Sequence, residues 1–461
     1  MSAVELVVIG AGITGLAAAW EASADPNIRV TVIDAGEHVG GKILSSPVDV
    51  LGAQPIDEGA DAFLARVPQA IDLCNELGLA DRLVEPSASR AKVYLGTSTR
   101  FLPSDTVLGV PVEFDPLEAS GLVSPEGMAV ARAETEGDWH APTDDVSIGA
   151  FLTERYGREL VDHVVAPLIG GINAGNVDRL SLRAVTPGLA AAAAEGGSLT
   201  LALRRARDAA PPPRLSGVFR GLRGGTETLV KALRTQLVDR GVAFVTGASV
   251  ESVSRSGNGL RVTAATGVSL DADAVVVTSP ASRSARILEQ LNADASEMLA
   301  SIEYSSVALI TIVFPRSAFS EFDVQTSGVL IPRNAGKTTT AISIGSNKWP
   351  HWVTSDQSAV VLRVSVGHSD DNDAASMDEQ SLISRVLAEV TEIMGINGQP
   401  STVRVSRWLN GFAQYGVGHL DLVDDIERAL GEAAPMLRIA GASYRGLGIP
   451  SCIEQGGQAA R

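Results

Sequence analysis

Three glycines and one acid carry the first chemistry that can be read from this chain. Gly10, Gly12 and Gly15 stand in G-x-G-x-x-G spacing directly after the apolar run Leu6 to Ile9. Asp34 closes a second apolar run, Arg29 to Ile33, roughly 20 residues on. In such an arrangement the first glycine turns the chain sharply. The second lets backbone N–H groups approach a pyrophosphate, because no Cβ intervenes. The third lets a helix lie close to its strand. A carboxylate at the end of the second strand accepts from ribose hydroxyls and disfavours a 2′-phosphate, so NADP is the least expected occupant. The competing reading is an ordinary glycine turn in an α/β domain.

Further glycine-rich stretches offer close backbone approach. Gly40 and Gly41 precede Lys42, which either faces a phosphate or stands solvated. Ile56 to Phe63 (IDEGADAF) is acid-rich around Gly59 and suits a backbone lying along a flavin edge; Asp57, Glu58 and Asp61 read equally as surface charges. Near the C-terminus, Met436 to Ala442 reads as a strand, followed by SYRGLGIPSCIEQGGQAAR. Pro450 suits the first turn of a helix, whose free N–H groups and dipole would aim at whatever lies over Gly448. If that is a flavin, they stabilise negative charge on the ring. The alternative is a routine strand–turn–helix closure.

The elements that must position these residues follow from periodicity. Leu6 to Ile9 is a buried parallel strand, and Leu16 to about Ser23 is a helix of small residues. Val67 to Leu83 has helical spacing with Cys74 inward, and Val93 to Leu102 reads as a hairpin around Gly96. Ile148 to Ile169 reads as one helix, capped near Ser147 and broken by Gly170 and Gly171. Leu189 to Leu203 is a further alanine-rich helix, and Pro211 to Pro213 a rigid separator. A helix from about Thr226 and a small meander ending at Pro280 resume the first domain. Ala308 to Phe314 and Ala359 to Val366 are apolar strands, and Leu382 to Met394 is a helix.

The chain has 461 residues, too many for one core. Its net charge of −17 argues against nucleic acid and against adhesion to anionic lipid through a basic face. Two cysteines, Cys74 and Cys452, make no disulfide framework and have no metal-ligand spacing, which fits a reducing compartment. The opening residues have no basic n-region of a signal peptide, and no uncharged apolar run reaches membrane-spanning length. A cytoplasmic protein is expected, with peripheral membrane contact left open. None of the six histidines stands in a recognisable constellation, so no catalytic residue is named and no metal is expected.

With both ends read, the chain resembles the bacterial protoporphyrinogen/coproporphyrinogen oxidase family of FAD enzymes over nearly its whole length. VVIGAGITGLAAA with Gly40-Gly41-Lys42 is shared with the wider amine-oxidase-like superfamily. FRGLRGGTETLVKAL, PLIGGINAGNVDRL (Pro167 to Leu180) and ASYRGLGIPSCIEQGG are more specific. The resemblance implies an α/β fold in three parts: a discontinuous FAD-binding Rossmann-like domain (1–90, 213–290, 405–461), a mostly helical insertion (91–212) and a β-rich substrate domain (291–404). It implies that Gly10, Ala11, Gly12, Ile13, Thr14 and Gly15 hold the pyrophosphate, and that Asp34 and Ala35 flank the ribose. Gly41, Lys42, Gly59, Ala60 and Asp61 would lie along the flavin, and Val250 would meet adenine through its backbone. Trp408 would pack near the cofactor, and Leu447, Gly448 and Ile449 would contact the isoalloxazine. Arg90 falls near a family arginine that pairs with a substrate carboxylate. The chain departs from the family pattern at His38, where arginine is usual, and at Asn173 and Asn176, where Tyr and Asp are usual.

The implied activity is oxidation of coproporphyrinogen III, with oxygen as acceptor, in haem biosynthesis. Protoporphyrinogen IX is the alternative substrate. A flavin amine oxidase would often carry paired aromatics at its site, and only 4% of this chain is aromatic. A non-enzymatic escort protein on the same fold would not need the intact glycine fingerprint.

Overall fold

A computed structural model describes residues 3–49, 54–211, 215, 217–321, 323–353 and 358–461. Its organising element is a five-stranded parallel sheet in the order Ala243–Val245, Ile28–Ile33, Val4–Ile9, Ala274–Val277, Leu437–Ile439. The first strand of the chain is central, which is why Leu6 to Ile9 are apolar on both faces and buried. On one face lie the helices Ile13–Ala22, Glu227–Asp239 and Ile449–Ala459, sharing a core with Leu16, Leu233 and Ile453. On the other face lies the antiparallel meander Val250–Ser256, Gly259–Ala264, Ser269–Ala272.

A seven-stranded mixed sheet forms the second layer, in the order Thr402–Ala413, Tyr304–Pro315, Ala359–Val366, Thr339–Ile344, Thr326–Leu330, Arg90–Tyr94, Thr99–Phe101. Its two faces separate by strand alternation. Val360, Leu362 and Val364 pack with Leu382, Val386 and Val390 of the helix Glu379–Met394. Val361 turns the other way, onto Trp349 and Trp352. The hairpin around Gly96 is present, and its first strand pairs in parallel with Thr326–Leu330. The expected boundary at 90/91 therefore runs through a strand of this sheet.

The helical layer spans Phe114–Ser120 to Leu199–Ala209 and encloses its own core, including Leu117, Leu152, Val164 and Leu189. Here three local expectations are corrected. Gly170 and Gly171 do not stop the helix: Ala166–Asn173 runs through them and ends at Ala174, which has φ +48°. The real interruption comes earlier, at Gly157 (φ +81°), followed by a π-helical segment, Val161–Val165. Leu189 to Leu203 is two helices, Pro187–Ala193 and Leu199–Ala209, because Gly196 and Gly197 both take positive φ and Ser198 caps the second. The helix read over Val67 to Leu83 is confined to Gln69–Glu76, stopped before Gly78 (φ +73°). Pro212 and Pro213 of the proline separator lie outside the described residues. Among the described residues no helix is long and apolar enough to cross a membrane.

The C-terminal helix seats on the first helix through a glycine. A Cβ on Gly456 would overlap the Thr14 carbonyl oxygen, whereas one on Gly457 would meet only Glu21 Oε2, at 3.8 Å. Gly456→Ala should destabilise the protein by about 1–3 kcal/mol through overpacking. Gly457→Ala should stabilise it by about 0.5–1 kcal/mol through helix propensity. Urea denaturation of the two variants checks the opposite signs.

Candidate functional site

The glycine loop is built as its spacing requires. Gly10 has φ +106°, and a Cβ there would press on Thr278 Oγ1 at 2.6 Å. A Cβ on Gly15 would overlap the Gly10 carbonyl. Gly12 is different: nothing lies within 4 Å of where its Cβ would stand. It is the N-cap of Ile13–Ala22, and no side chain caps that helix. Unfilled space in front of uncapped N–H groups is what a pyrophosphate needs. Gly40 donates to the Ala11 carbonyl at 2.8 Å, and a Cβ on Gly41 would come within 3.3 Å of Gly12 Cα. The paired glycines thus line the same cradle.

Asp34 has a structural role. Its carboxylate accepts from Ala11 N at 2.6 Å and from Gly36 N at 2.7 Å, clamping the glycine loop to the end of the second strand. Ala35 is exposed beside it, as is His38. The Asp34 carbonyl accepts from Ala248 N at 2.9 Å, which brings the start of the strand Val250–Ser256 over the same end of the sheet. The Val250 side chain is buried in the meander core, leaving its backbone as the part that can meet a base.

Beyond the glycine loop, the Lys42 and Gly59 stretches meet the C-terminal segment and the large sheet. Lys42 Nζ donates to the Gly411 carbonyl. The walls crowd Lys42 and lower its pKa by desolvation, with Cys452 acting in the opposite sense, although its side chain still reaches solvent. A Cβ on Gly59 would overlap the Lys42 carbonyl. Trp408 Nε1 donates to the Glu58 carbonyl at 2.9 Å, and Arg363 donates to the Gly59 carbonyl at 2.6 Å. Ala60 and Gly448 remain exposed, Leu447 is half-buried and Ile449 is buried. Gly448 is the N-cap of Ile449–Ala459, again without a side-chain cap, and Pro450 lies in the first turn. Two free helix N-termini therefore belong to one nucleotide fold, held together by the Gly456–Thr14 contact.

The acids of IDEGADAF are internal, not a solvated surface. Asp57 accepts from Ser45 Oγ at 2.6 Å and from Thr226 N at 2.7 Å, so it caps the helix Glu227–Asp239 from another strand. Glu58 accepts from Ser46 Oγ at 2.5 Å and Ser406 Oγ at 2.8 Å. Asp61 accepts from Lys348 Nζ at 3.1 Å and Trp349 Nε1 at 2.9 Å, with Arg363 3.6 Å away. Burial alone would raise the Asp61 pKa; the Lys348 and Arg363 cations overcome it and hold the carboxyl well below the usual range. Only the backbone and Cβ of Gly59–Ala60 are left to face a cofactor.

Arg90 is not brought to this groove. By strand alternation it shares a face with Lys92 and Tyr94, and Tyr94 packs in the cluster behind the sheet with Val364 and Val386. Its guanidinium lies 3.9 Å from the centroid of the Phe101 ring. Ala91 and Val93 take the other face. Asn173 Nδ2 donates to the Ile169 carbonyl within its own helix, and Asn176 Nδ2 donates to Asp370, so both are engaged in holding the fold. Sequence reading missed Arg363, Lys348 and Trp349. The available signal was a lone cation inside the apolar strand AVVLRVSV and the dense aromatic run KWPHW.

The depressed Asp61 pKa has a definite sign. Its stabilising contribution is complete above the ordinary carboxylate pKa and is lost as pH falls through the folded-state value. Asp61→Asn should cost about 3–5 kcal/mol, because it leaves Lys348 and Arg363 unpaired inside. The variant should also show a weaker fall in stability on acidification below pH 4. Chemical denaturation at several pH values measures both effects.

Open space at Gly12, two uncapped helix N-termini and glycines pressed against the cradle walls all fit a flavin nucleotide. The sequence profile of the flavin containing amine oxidoreductases matches residues 13–461. The chain is 32% identical over 460 residues to a coproporphyrinogen III oxidase of Bacillus subtilis, covering 98% of this chain and 96% of that one. It is 28% identical over 485 residues to human protoporphyrinogen oxidase, covering 99% and 97%. A crystal structure from Exiguobacterium, provisionally assigned as a protoporphyrinogen oxidase, superposes with a TM-score of 0.87 at 28% identity, over 100% of this chain and 98% of that one. With the cradle, the returning C-terminal helix and these full-length similarities together, the chain belongs to the flavin containing amine oxidoreductases and, within them, to the coproporphyrinogen III oxidase family.

Proposed function

We propose that this chain oxidises coproporphyrinogen III to coproporphyrin III, with FAD as the bound flavin and oxygen as the final acceptor. The carrying observation is full-length similarity to a coproporphyrinogen III oxidase on a fold whose two chain ends build one nucleotide groove. The balance is coproporphyrinogen III plus three O2 giving coproporphyrin III plus three H2O2, six electrons and six protons in three equal steps. Bound in the groove, FAD would supply the two-electron acceptor chemistry and pass the electrons to oxygen.

The chain's own residues bind and orient. Gly10 to Gly15 and the N-terminus of Ile13–Ala22 would take the pyrophosphate, with Asp34 and Ala35 at the ribose and Val250 at adenine. Lys42, Gly41, Gly59, Ala60 and Trp408 would line the flavin. Leu447, Gly448 and Ile449 would present the second helix N-terminus, whose dipole favours negative charge nearby. Leu409, beside Trp408, and Ile172, on the helix Ala166–Asn173, are more than half exposed and offer apolar surface to a flat macrocycle. Gln414 donates to the Asn173 carbonyl and steadies that helix against the sheet.

No side-chain base is assigned. Burial, with Arg223 nearby, pulls His351 down to about 4, and burial lowers His419 as well. Both are neutral at pH 7, and His419 is bonded to the Tyr444 carbonyl inside the fold. Loss of a proton from a macrocycle nitrogen to water needs no such group. The aromatic pair an amine oxidase would expose is not offered by Tyr415 or Tyr444, which are 2% and 1% exposed. Arg90 is not carried forward as a substrate ligand. A cytoplasmic site of action is part of the proposal and is supported by two unpaired, buried cysteines.

Anaerobic flavin reduction with coproporphyrinogen III and protoporphyrinogen IX side by side tests the substrate. The tetracarboxylate should reduce the flavin with a second-order rate constant at least about tenfold higher, a difference of roughly 1.4 kcal/mol. Equal or reversed preference would overturn the assignment. Gly12→Val should purify without flavin absorbance, since its side chain fills the cradle; normal flavin content would refute the cradle.

A further inference from the structure

Behind the loop Gly441–Gly448 two aromatic rings lie in contact. Tyr415, just past the strand Thr402–Ala413, stacks on His419, with centroids 4.0 Å apart and planes 13° from parallel. The Tyr415 hydroxyl accepts from the Gly446 N–H at 2.9 Å and donates to the Ala442 carbonyl at 2.9 Å. His419 Nε2 lies 2.8 Å from the Tyr444 carbonyl. A carbonyl only accepts, so Nε2 carries the imidazole proton. Residues 442, 444 and 446, three alternate positions of the loop, are thus gripped by one stacked pair. The loop backbone is itself constrained: Gly446 has φ +133°, and a Cβ there would stand 2.7 Å from Ser451 Cβ. Burial pushes the Tyr415 phenol up and pulls the His419 imidazole down, so both stay neutral and keep this donor pattern near pH 7.

Tyr415 also faces the helical layer, through its backbone. Ser181 N–H donates to the Tyr415 carbonyl at 2.8 Å. Asp145 accepts from the Ser181 hydroxyl at 2.6 Å and from Gly418 N–H at 2.8 Å. One residue therefore joins the helical layer to the turn that precedes the C-terminal helix.

We propose that Tyr415 is a positioning residue of the flavin site: with His419 stacked on it, it sets the loop that presents Gly448 and ties that loop to the helical layer at Ser181. The identity of what the loop faces rests on the flavin reading above; the grip rests on the hydrogen bonds alone. The physical reason for such a device is preorganisation. N–H groups aimed at a site of developing charge act fully only when they need not reorganise.

Tyr415→Phe keeps the ring and the stack and removes both hydrogen bonds. Hydrogen–deuterium exchange on the full-length protein, with and without FAD, should show the amides of 442–448 exchanging about tenfold faster, the loss expected for one or two net hydrogen bonds. Tyr156→Phe removes a buried hydroxyl bonded to Thr200 in the helical layer and should leave that segment unchanged. His419→Gln keeps a donor for the Tyr444 carbonyl but loses the stack, and should fall between. In the FAD-loaded protein Tyr415→Phe should weaken FAD binding about tenfold, lower the flavin midpoint potential and shift its absorption bands. Unchanged exchange in 442–448 overturns the grip. Faster exchange with unchanged FAD affinity and potential overturns the link to the flavin. A wild-type protein that takes up no FAD refutes the cofactor reading itself, an outcome that the exchange measured without FAD keeps separate.

Discussion

The structure depends on one contact between the two ends of the chain. Gly456 in the last helix lies against the Thr14 carbonyl in the first, with no room for a Cβ between them. That contact packs the later turns of Ile449–Ala459 on the first turn of Ile13–Ala22 and keeps both helices on the same side of the parallel sheet. Each helix brings uncapped N–H groups. A nucleotide with a phosphate end and a ring end can satisfy both only if the distance between them is fixed, and the helix–helix contact fixes it. A single Rossmann unit has one such end; the return of the chain supplies the second.

The large sheet is fastened to this pair by charge rather than by apolar contact alone. Asp61 draws Lys348, Trp349 and Arg363 onto the strip between Gly59 and Phe63. Arg363 also reaches the Gly59 carbonyl, and Arg404 the Ser46 hydroxyl at 2.6 Å and the Ile56 carbonyl at 3.0 Å. Buried cations and carboxylates cost desolvation; at Asp61 the cost is offset by its pairing with Lys348 and Arg363, and at Arg404 by its hydrogen bonds, although the Nε atoms of Arg363 and Arg404 have no partner among the described residues. Such pairs are directional, so they set the angle between sheet and nucleotide fold in a way that Val361 against Trp349 and Trp352 would not. The residues one would assign to cofactor chemistry by type, Asp57, Glu58 and Asp61, are in fact the ones that hold the walls.

The histidines follow the same division. His419 and His351 are kept neutral by burial, and the stacked Tyr415–His419 pair acts on backbone rather than on substrate. The residues proposed to line the groove are mostly main chain, glycine and apolar side chain. That suits a reaction in which the bound ring supplies the electron acceptor and the protein supplies placement.

The amino-acid order by itself determined the local features whose cause is local. G-x-G-x-x-G before a helix, an acid after the second strand and Pro450 at a helix start are steric and dipolar rules within a few residues, and each was legible. So were the strand Ala359–Val366 and, over Ala308 to Phe314, the middle of Tyr304–Pro315, as apolar runs. Features that depend on distant partners were not. Gly170 and Gly171 read as a break, yet packing carries the helix through them to Ala174. Arg90 read as a substrate ligand, yet pairing with Thr326–Leu330 turns it to the far side of the sheet. Asp34 read as a ribose acceptor, and only the fold shows it clamping Ala11 and Gly36. The acids around Gly59 could be solvated or buried until Lys348 and Arg363, some 300 residues away, were placed beside Asp61. Charge pairing and strand register are set by neighbours in space, so only the tertiary structure decided them.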